Sequence, residues 1–170
     1  VHCSGVESSA LLKKAQSEGA YTASFHPMQT FPSIDEVISF KNIAFAIEGE
    51  APLTENLKDI ATNLGGFHVE IDPAYKPLYH ASGFLVCGLM IGLIQQSIKL
   101  WEIMDYTEDQ ALNVLVHIMR STIESISQLG VSDSLTGPIA RGDIGTITKH
   151  LDIIAIYSPE TLPMYCHLAL

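Results

Sequence analysis

Cysteine is scarce in this 170-residue chain, and no two cysteines are spaced as a pair. Cys3, Cys87 and Cys166 are odd in number and far apart, and no CxxC motif occurs. A disulfide framework and a structural zinc site are therefore disfavoured. The seven histidines show no HExxH or similar spacing, so we expect no metal site. A reducing cytoplasm is the simplest location for such a sequence.

Positive charge is also scarce. The chain carries 9 Lys and Arg against 19 Asp and Glu, a formal charge of −10, and its longest basic cluster is the pair Lys13 and Lys14. A protein that wraps a nucleic-acid backbone or binds an anionic membrane surface needs clustered positive charge. We therefore expect neither nucleic acid nor a membrane as a partner.

Long apolar runs are missing as well. The most apolar segment, residues 81–94, has 14 residues, whereas a membrane-spanning helix needs about 20. We interpret this segment as a buried core helix. The N-terminus shows no secretory signal pattern, and because the first residue is Val and not Met we expect a processed product or a fragment.

Hydrophobic residues make up 47% of the chain, which is enough for a core in one large domain or two small ones. Residues 1–72 alternate short apolar runs with helical patterns, as in an α/β layer structure. Ser4 and Glu7 have the spacing of a capping box, which predicts a helix from there to Gly19. The other elements predicted in this part are strands at 1–3, 21–25, 42–47 and 67–71 and a helix over 53–64.

The pattern changes at Asp72 and Pro73, a good N-cap followed by a residue that suits the first helical position. We place a domain boundary there, with residues 73–170 forming an all-helical domain. Gly88 and Gly92, four apart on its first helix, would allow another helix to approach closely, as across a dimer interface. The predicted helices span 73–104 and 107–129, and two more follow Asp143 and Ser158–Pro159, with a loop over 135–143.

Three polar segments follow predicted strands, where open α/β sheets bind ligands. At the first, Ser4 and Gly5 would present backbone N–H groups at a helix N-terminus, which suits a bound anion, and we assign them to cofactor binding. The alternative for Ser4 is ordinary helix capping. At the second, His26 and Thr30 are candidate substrate-binding residues, although His26 could also be a turn histidine bonded to backbone. The third segment is Glu48–Gly49–Glu50.

Lys76 and His80 lie four residues apart on the first predicted helix and therefore share a face, with Tyr79 beside them. A lysine and a histidine on one helical turn can act as general acid and base or can bind an anionic group. The alternative is a solvated lysine and a hydrogen-bonded histidine.

The predicted loop over 135–143 contains two further candidates for substrate binding. Arg141 can clamp a carboxylate or phosphate with two parallel hydrogen bonds, and Thr136 adds a polar group. Asp143, at the end of the loop, is expected to cap the next helix.

Five segments in a fixed order carry a resemblance to a known family: VHCSG (1–5), FHPMQTF (25–31), AFAIEG (44–49), DPAYKPLYHASG (72–83) and LTGPIARGD (135–143). Together they resemble Rossmann-like NADP-dependent oxidoreductases that carry a helical C-terminal domain of the kind seen in 6-phosphogluconate dehydrogenase. The resemblance implies a Rossmann-like domain that binds NADP or NAD. It also implies a helical domain that dimerises and helps to close the active site.

The chain departs from this family pattern in two ways. The first half of the Rossmann-like domain is absent, and no GxGxxG, the motif that brings a cofactor pyrophosphate onto a helix N-terminus, occurs in residues 1–170. The wider hydroxyacid dehydrogenase group also has a Lys followed four residues later by an Asn. Lys76 matches that Lys, but His80 replaces the Asn, which argues against a hydroxyacid substrate.

The predicted fold class is therefore the second half of a Rossmann-like α/β domain over 1–72, followed by an all-α domain over 73–170. We expect this chain alone to bind a dinucleotide weakly or not at all. These expectations follow from the resemblance together with the missing glycine motif.

The leading hypothesis for function is the C-terminal portion of an NAD(P)-dependent oxidoreductase, a cytoplasmic homodimer that transfers hydride to or from a small anionic substrate. The reaction would take place in the crevice between the two parts. Lys76 and His80 would transfer protons or polarise the substrate, while Arg141 would clamp its anionic group. Two alternatives stay open: a non-enzymatic dimeric module that binds a ligand or protein, and a dimer without a ligand whose polar clusters are structural.

Overall fold

A computed structural model describes residues 1–33, 35 and 37–169 of the chain. Contacts between Cα atoms divide the chain into two compact units, Val1–Met90 and Ile91–Leu170. The change from mixed α/β to all-helical structure occurs after Asp72, as the sequence indicates. The boundary between the units lies later, because the first long helix after Asp72 groups with the preceding sheet. The domain boundary at residue 72 stays a prediction.

Three strands form the sheet of the first unit, in the spatial order β1, β2, β3. They span Ala23–Pro27 (β1), Ala44–Gly49 (β2) and Phe67–Glu70 (β3). β2 pairs in parallel with β3, but β1 runs antiparallel to β2, with Ser24 opposite Glu48. The sheet is therefore mixed.

The antiparallel pairing of β1 decides where the polar segments after the strands lie. His26 is opposite Ala46 near the start of β2, whereas Glu48 lies near its end. The segments after β1 and after β2 therefore leave the sheet at opposite edges. The N-terminal remnant, in contrast, runs parallel to β1 through a bridge between His2 and Ser24. Of the three polar segments, only the first two share an edge.

The helix predicted to follow Ser4 begins later than the capping-box pattern indicates. The Ser4 Oγ accepts from the N–H of Glu7 at 3.1 Å, as a capping box requires, but the Ser4 N–H donates to Nδ1 of His2 at 3.1 Å. Because the Ser4 N–H donates to His2 and not to the Glu7 carboxylate, the reciprocal half of the box does not form. Helical structure starts only as a 3-10 turn at Ser9–Leu12, which continues into helix α1, Lys13–Ser17.

Helix α2, Leu53–Asn63, packs on the sheet and supplies part of the core of the first unit. Its Leu57 forms a buried cluster with Ala23 of β1 and Ile47 of β2. Burial of a leucine side chain of this kind contributes about 1.5–3 kcal/mol. After α2 the chain turns at Gly65, whose φ of +82° favours glycine, as the sequence predicts.

The first helix of the all-helical part is interrupted once. Asp72 caps a 3-10 turn at Pro73–Tyr75, which leads into helix α3, Lys76–Val86. Cys87 then separates α3 from helix α4, Gly88–Glu102. The prediction of one unbroken helix is therefore wrong at Cys87, although the predicted start and approximate end are confirmed.

By length and composition, the helical stretch Pro73–Glu102 could cross a membrane, and no other stretch of the described residues meets the same criterion. The 14-residue apolar run at 81–94 is too short by itself, but the helical turns on either side extend it to 30 residues. None of its most apolar window is buried inside the chain. A helix that is covered by other parts of a protein meets the same criterion. The absence of a membrane partner therefore stays a prediction.

The described residues of the second unit are helical apart from short connections. Helix α5, Glu108–Ser134, opens with the predicted capping box between Thr107 and Gln110. Gly130, with a φ of +80°, interrupts it where the sequence predicts an end, but helical structure resumes as far as Ser134. The remaining helices are α6 at Gly137–Ala140, inside the predicted loop, α7 at Ile144–Tyr157, and α8 at Leu162–Ala169 after a 3-10 turn at Pro159–Thr161.

Side-chain hydrogen bonds fix both ends of α7. Asp143 accepts from the N–H of Thr146 at 3.0 Å and from its Oγ1 at 2.7 Å, which confirms Asp143 as the N-cap. At the other end, the buried hydroxyls of Ser158 and Thr161 lie 2.8 Å apart, and Thr161 donates to Oε1 of Gln96 at 3.0 Å. The turn between α7 and α8 is thereby bonded to α4.

Candidate active site

Lys76 is the first residue of α3, and its side chain is 0% exposed. Its Nζ donates to the Oγ of Ser24 at 2.8 Å and to the carbonyl oxygen of Ser4 at 3.3 Å. Within the part of the chain that the structure describes, no carboxylate lies within ion-pair distance of this Nζ. Burying an ammonium is costly unless hydrogen bonds replace its hydration, and these two acceptors do so. The alternative of a solvated lysine is therefore wrong.

Three aromatic side chains lie next to Lys76. The Nδ1 of His26 is 3.0 Å from the hydroxyl of Tyr79, and the two rings are perpendicular, with centroids 5.7 Å apart. The ring of His80 lies 6.0 Å from that of His26. Both histidines are half-buried, so part of each imidazole is accessible from solvent.

Gly5 is buried against the two imidazole rings. A Cβ at this position would lie 2.5 Å from Cδ2 of His80 and 2.8 Å from Nε2 of His26, so a larger residue would displace the rings. The absence of a side chain at Gly5 thus sets how closely the N-terminal loop approaches the histidines. We call the following group the Lys76 cluster: Ser4, Gly5, Ser24, His26, Lys76, Tyr79 and His80.

Burial is the main cause of the shifted pKa values in the Lys76 cluster. It lowers the pKa of His26, assisted by the charge of Lys76 and then by His80. Burial also lowers the pKa of Lys76, whereas the negative charge of Glu48 raises it. Burial raises the pKa of Tyr79 to about 12. The cluster therefore combines a covered amine, imidazoles and a neutral phenol, which are groups that transfer protons and stabilise developing negative charge.

The structure brings together residues from three segments that the sequence singles out separately. Ser4 and Gly5 come from the N-terminal loop, His26 from β1, and Lys76 and His80 from α3. They meet because α3 lies against the edge of the sheet where the N-terminal remnant and β1 both end. The individual roles of these residues stay predictions.

The other residues predicted to bind substrate are not members of the Lys76 cluster. Thr30 is exposed, three residues beyond the end of β1. Thr136 and Arg141 flank α6 in the second unit and are both exposed. The described residues also contain no group of three or more His, Cys, Asp or Glu side chains that could hold a metal ion. Substrate binding by Thr30, Thr136 and Arg141 stays a prediction.

The N-terminal loop is bonded internally and not arranged as the anion site that the sequence suggests. The Ser4 N–H donates to Nδ1 of His2, and Nε2 of His2 lies 2.9 Å from the carbonyl oxygen of Ser8. The Ser4 Oγ accepts from the N–H of Glu7. This geometry supports a packing role for Ser4 and Gly5, and their part in cofactor binding stays a prediction.

The sequence pattern assigns no role to Ser24 and places Tyr79 only beside the Lys76 and His80 pair. Ser24 and His26 are two residues apart on β1, so they project from the same face of the sheet. Tyr79 follows Lys76 by three residues, which places both on one side of α3. These two periodicities are the signals from which both residues could have been found.

Comparison with known proteins identifies relatives of this chain. Residues 43–170 match the model of a family described as a domain of unknown function, DUF2520. The chain matches no curated protein. Its structure is similar to that of protein TM1727 from Thermotoga maritima, with a TM-score of 0.82 and 26% identity over 99% of this chain and 64% of that chain.

Two further solved structures share the fold. The "putative NADP oxidoreductase BF3122" from Bacteroides fragilis has a TM-score of 0.78 and 24% identity over 99% of this chain and 62% of that chain. Pyrroline carboxylate reductase from Plasmodium falciparum, with NADP bound, has a TM-score of 0.60 and 10% identity over 98% of this chain and 67% of that chain. This chain thus spans less than two thirds of the length of TM1727 and of BF3122.

These likenesses confirm the fold class predicted from sequence, part of a Rossmann-like domain followed by a helical region. The resemblance stated from the sequence is confirmed for the fold, which this chain shares with these three structures. The site residues are not assigned by any of these relatives.

Proposed function

Because the chain belongs to the DUF2520 domain family and shares its fold with NADP-linked proteins, we propose that it is part of an enzyme that transfers hydride between NADP(H) and a small anionic substrate. The two neighbours whose names state a cofactor are both NADP proteins, which supports NADP(H) over NADH as that cofactor. The observation that carries the proposal is the Lys76 cluster.

A buried lysine without a carboxylate partner is unusual, because structural burial of a charge is ordinarily balanced by an opposite charge. Here Glu48, whose negative charge acts on Lys76, is engaged elsewhere: its carboxylate accepts from the N–H and the Oγ of Ser9 at 2.7 and 2.6 Å. Lysines with a lowered pKa in a cluster with histidine and tyrosine are typical of reaction sites. This combination favours catalysis over a purely structural role.

The accessible members of the cluster define which groups meet the substrate. His80 and His26 are half-buried and can touch a bound molecule, whereas Lys76 is covered. In the proposed reduction, the substrate carbon gains hydride and its heteroatom gains a proton, which we assign to His80. Lys76, which lies covered beside the two histidines, stabilises by its charge the negative charge that develops on that heteroatom.

NADP(H), when bound, supplies or accepts the hydride. The residues of this chain fit the substrate side of such a site but not the pyrophosphate of the cofactor. No GxGxxG occurs in residues 1–170, and the Ser4 N–H is already bonded to His2. Proton transfer and charge stabilisation are therefore the steps that the Lys76 cluster supplies in this proposal.

The charge of the cluster favours an anionic substrate. It contains one amine and two imidazoles and no acidic side chain. In this proposal Arg141, Thr136 and Thr30 are further candidates for substrate binding. All three side chains are exposed, so they can contact a ligand.

The protein works as a cytoplasmic homodimer in this proposal. Helix α5 exposes large apolar side chains over much of its length, and a second copy would remove them from water. They include Ile118, Ile123, Ile126 and Leu129. Analytical ultracentrifugation tests this part, since a monomer at micromolar concentration would contradict it.

The proposed function is tested by fluorescence titration of NADPH and NADH against protein expressed from the complete native reading frame that contains these residues. We expect saturable micromolar binding of NADPH and weaker binding of NADH. The Lys76→Met variant should bind NADPH as the wild type does, because its change lies on the substrate side. Absence of binding by a folded dimer would contradict the proposal and favour a non-enzymatic ligand-binding or interaction module.

A further inference from the structure

Ser24 is the residue of the Lys76 cluster whose role is least obvious. It is 0% exposed, and its Oγ lies 2.8 Å from Nζ of Lys76 and 3.3 Å from the carbonyl oxygen of Ser4. The same Ser4 oxygen also accepts from Lys76 at 3.3 Å. A hydroxyl, an amine and a carbonyl oxygen thus form a closed triangle of hydrogen bonds.

The chemistry of the three groups fixes the direction of each bond while Lys76 is charged. An ammonium has three donors and no acceptor, and a hydroxyl has one donor and two lone pairs. The Ser24 Oγ must therefore accept from Nζ, and its own proton must go to the Ser4 carbonyl oxygen. Each polar atom of the triangle then has a hydrogen-bond partner, with two acceptors for the three N–H groups of the ammonium.

The same triangle can accommodate the uncharged amine. Loss of a proton gives Nζ a lone pair, and the Ser24 hydroxyl can rotate so that its proton points at Nζ instead of at Ser4. Carbonyl oxygens only accept, so Ser4 cannot make this exchange. The neutral amine keeps two N–H groups, so the Ser4 carbonyl oxygen can still accept from it, but of these two partners only Ser24 can also donate to its lone pair.

We propose that Ser24 is a positioning residue that holds the buried Lys76 side chain in place in both its charged and its neutral form. This inference rests on the proposed function in so far as Lys76 serves the reaction. Ser24 acts through Lys76 and need not touch the substrate.

The backbone around Ser24 is suited to this role. On one side Ser24 pairs with Glu48 of β2, and on the other it forms the parallel bridge with His2. A residue held between two neighbours in a sheet has little freedom to move its Oγ away from Lys76. Of the groups on the surrounding elements, Glu48 of β2 raises the pKa of Lys76, and the charge of Lys76 in turn lowers the pKa of His26 on β1.

The test measures the pKa of Lys76 directly, by NMR titration of its Cε and Nζ signals in the full-length protein without substrate or cofactor. The signals are assigned by their absence from the Lys76→Arg variant. Ser24→Ala removes an acceptor of the charged form, so we expect the pKa of Lys76 to fall by about 1–2 pH units. Ser24→Cys keeps the side-chain volume but is a weak acceptor, and it should lower the pKa in the same direction.

The control is Ser82→Ala, which removes a hydroxyl that bonds only to the backbone of its own helix, at the Tyr79 carbonyl oxygen. It should leave the pKa of Lys76 unchanged. If Ser24→Ala and Ser24→Cys also leave it unchanged in a folded protein, the proposed role of Ser24 is wrong. The NADPH titration decides the proposed function separately, because the NMR experiment contains no cofactor.

Turnover provides a second readout once a substrate is known. A positioning role predicts that Ser24→Ala lowers kcat and displaces its pH profile to lower pH, with little effect on KM. A purely structural role would alter stability without moving the pH profile. An unmoved profile would therefore contradict the proposal.

Discussion

The Nζ of Lys76 lies 2.8 Å from the Oγ of Ser24, although the two residues are 52 positions apart in the chain. This bond connects the first turn of α3 to β1, and it holds an amine that has no carboxylate within ion-pair distance among the described residues. The candidate active site is organised around this contact, since the histidines and Tyr79 are grouped around it.

Lys76→Met keeps the length of the side chain and removes its charge. Because the charge is proposed to stabilise the substrate in the transition state, we expect turnover to fall by at least about tenfold with the fold intact. Steady-state kinetics and circular dichroism measure the two effects. Lys13→Met, at an exposed lysine of α1, is the matched control and should retain full turnover. Equal turnover in both variants would remove Lys76 from the mechanism.

The lowered pKa of His26 predicts how stability depends on pH. Below a pH of about 6.5 the unfolded chain binds a proton at this imidazole that the folded chain does not, so stability falls as the pH falls. We expect the urea midpoint to decrease between about pH 7 and pH 5.5. His26→Gln should make that decrease smaller. If the slope is identical in both proteins, His26 is not the cause.

The raised pKa of Tyr79, about 12, predicts a late step in tyrosine ionisation. Ordinary tyrosines ionise near pH 10, and burial prevents the Tyr79 phenolate from forming there. Ultraviolet absorbance of the phenolate measures the titration. Tyr79→Phe should remove the late step, and persistence of that step in the variant would show that another tyrosine causes it.

Gly5→Ala should destabilise the protein, because the added Cβ would overlap the rings of His80 and His26. Overpacking of this kind costs about 1–3 kcal/mol. Gly145→Ala is a matched control in α7, where the nearest atom to an added Cβ is Oδ1 of Asp143, at an ordinary contact distance of 3.6 Å. In a helix that change should stabilise by about 0.5–1 kcal/mol. Denaturant unfolding measures both, and equal effects would contradict the packing role of Gly5.

Local elements of the fold were predictable from the sequence because their determinants lie within a few residues of one another. The capping box of Thr107 and Gln110 and the N-cap at Asp143 each depend on hydrogen bonds over three residues. At Ser4 only half of the predicted capping box forms, because another residue nearby competes for the same bond. His2 competes for the Ser4 N–H, and a spacing rule for Ser4 and Glu7 does not include that competitor.

The candidate site was predictable only as separate segments. The spacing of Lys76 and His80 and the position of His26 after a strand are visible in the sequence. Their meeting depends on the direction of β1, and a parallel or antiparallel course is not encoded in a short apolar run. Ser24 was missed because its spacing from His26 indicates only which face of the strand it occupies, whereas its contact with Lys76 joins residues 52 positions apart.

The sequence by itself determined the family resemblance, the change from mixed to helical structure after Asp72, and the helix caps. All of these depend on residue order and on interactions between near neighbours. The tertiary structure decided that Lys76 is buried, that Ser24 is its partner, and that Glu48 is bonded to Ser9 and not to Lys76. Burial and long-range hydrogen bonds arise only when distant segments pack, and they set the charge state on which the proposed chemistry depends.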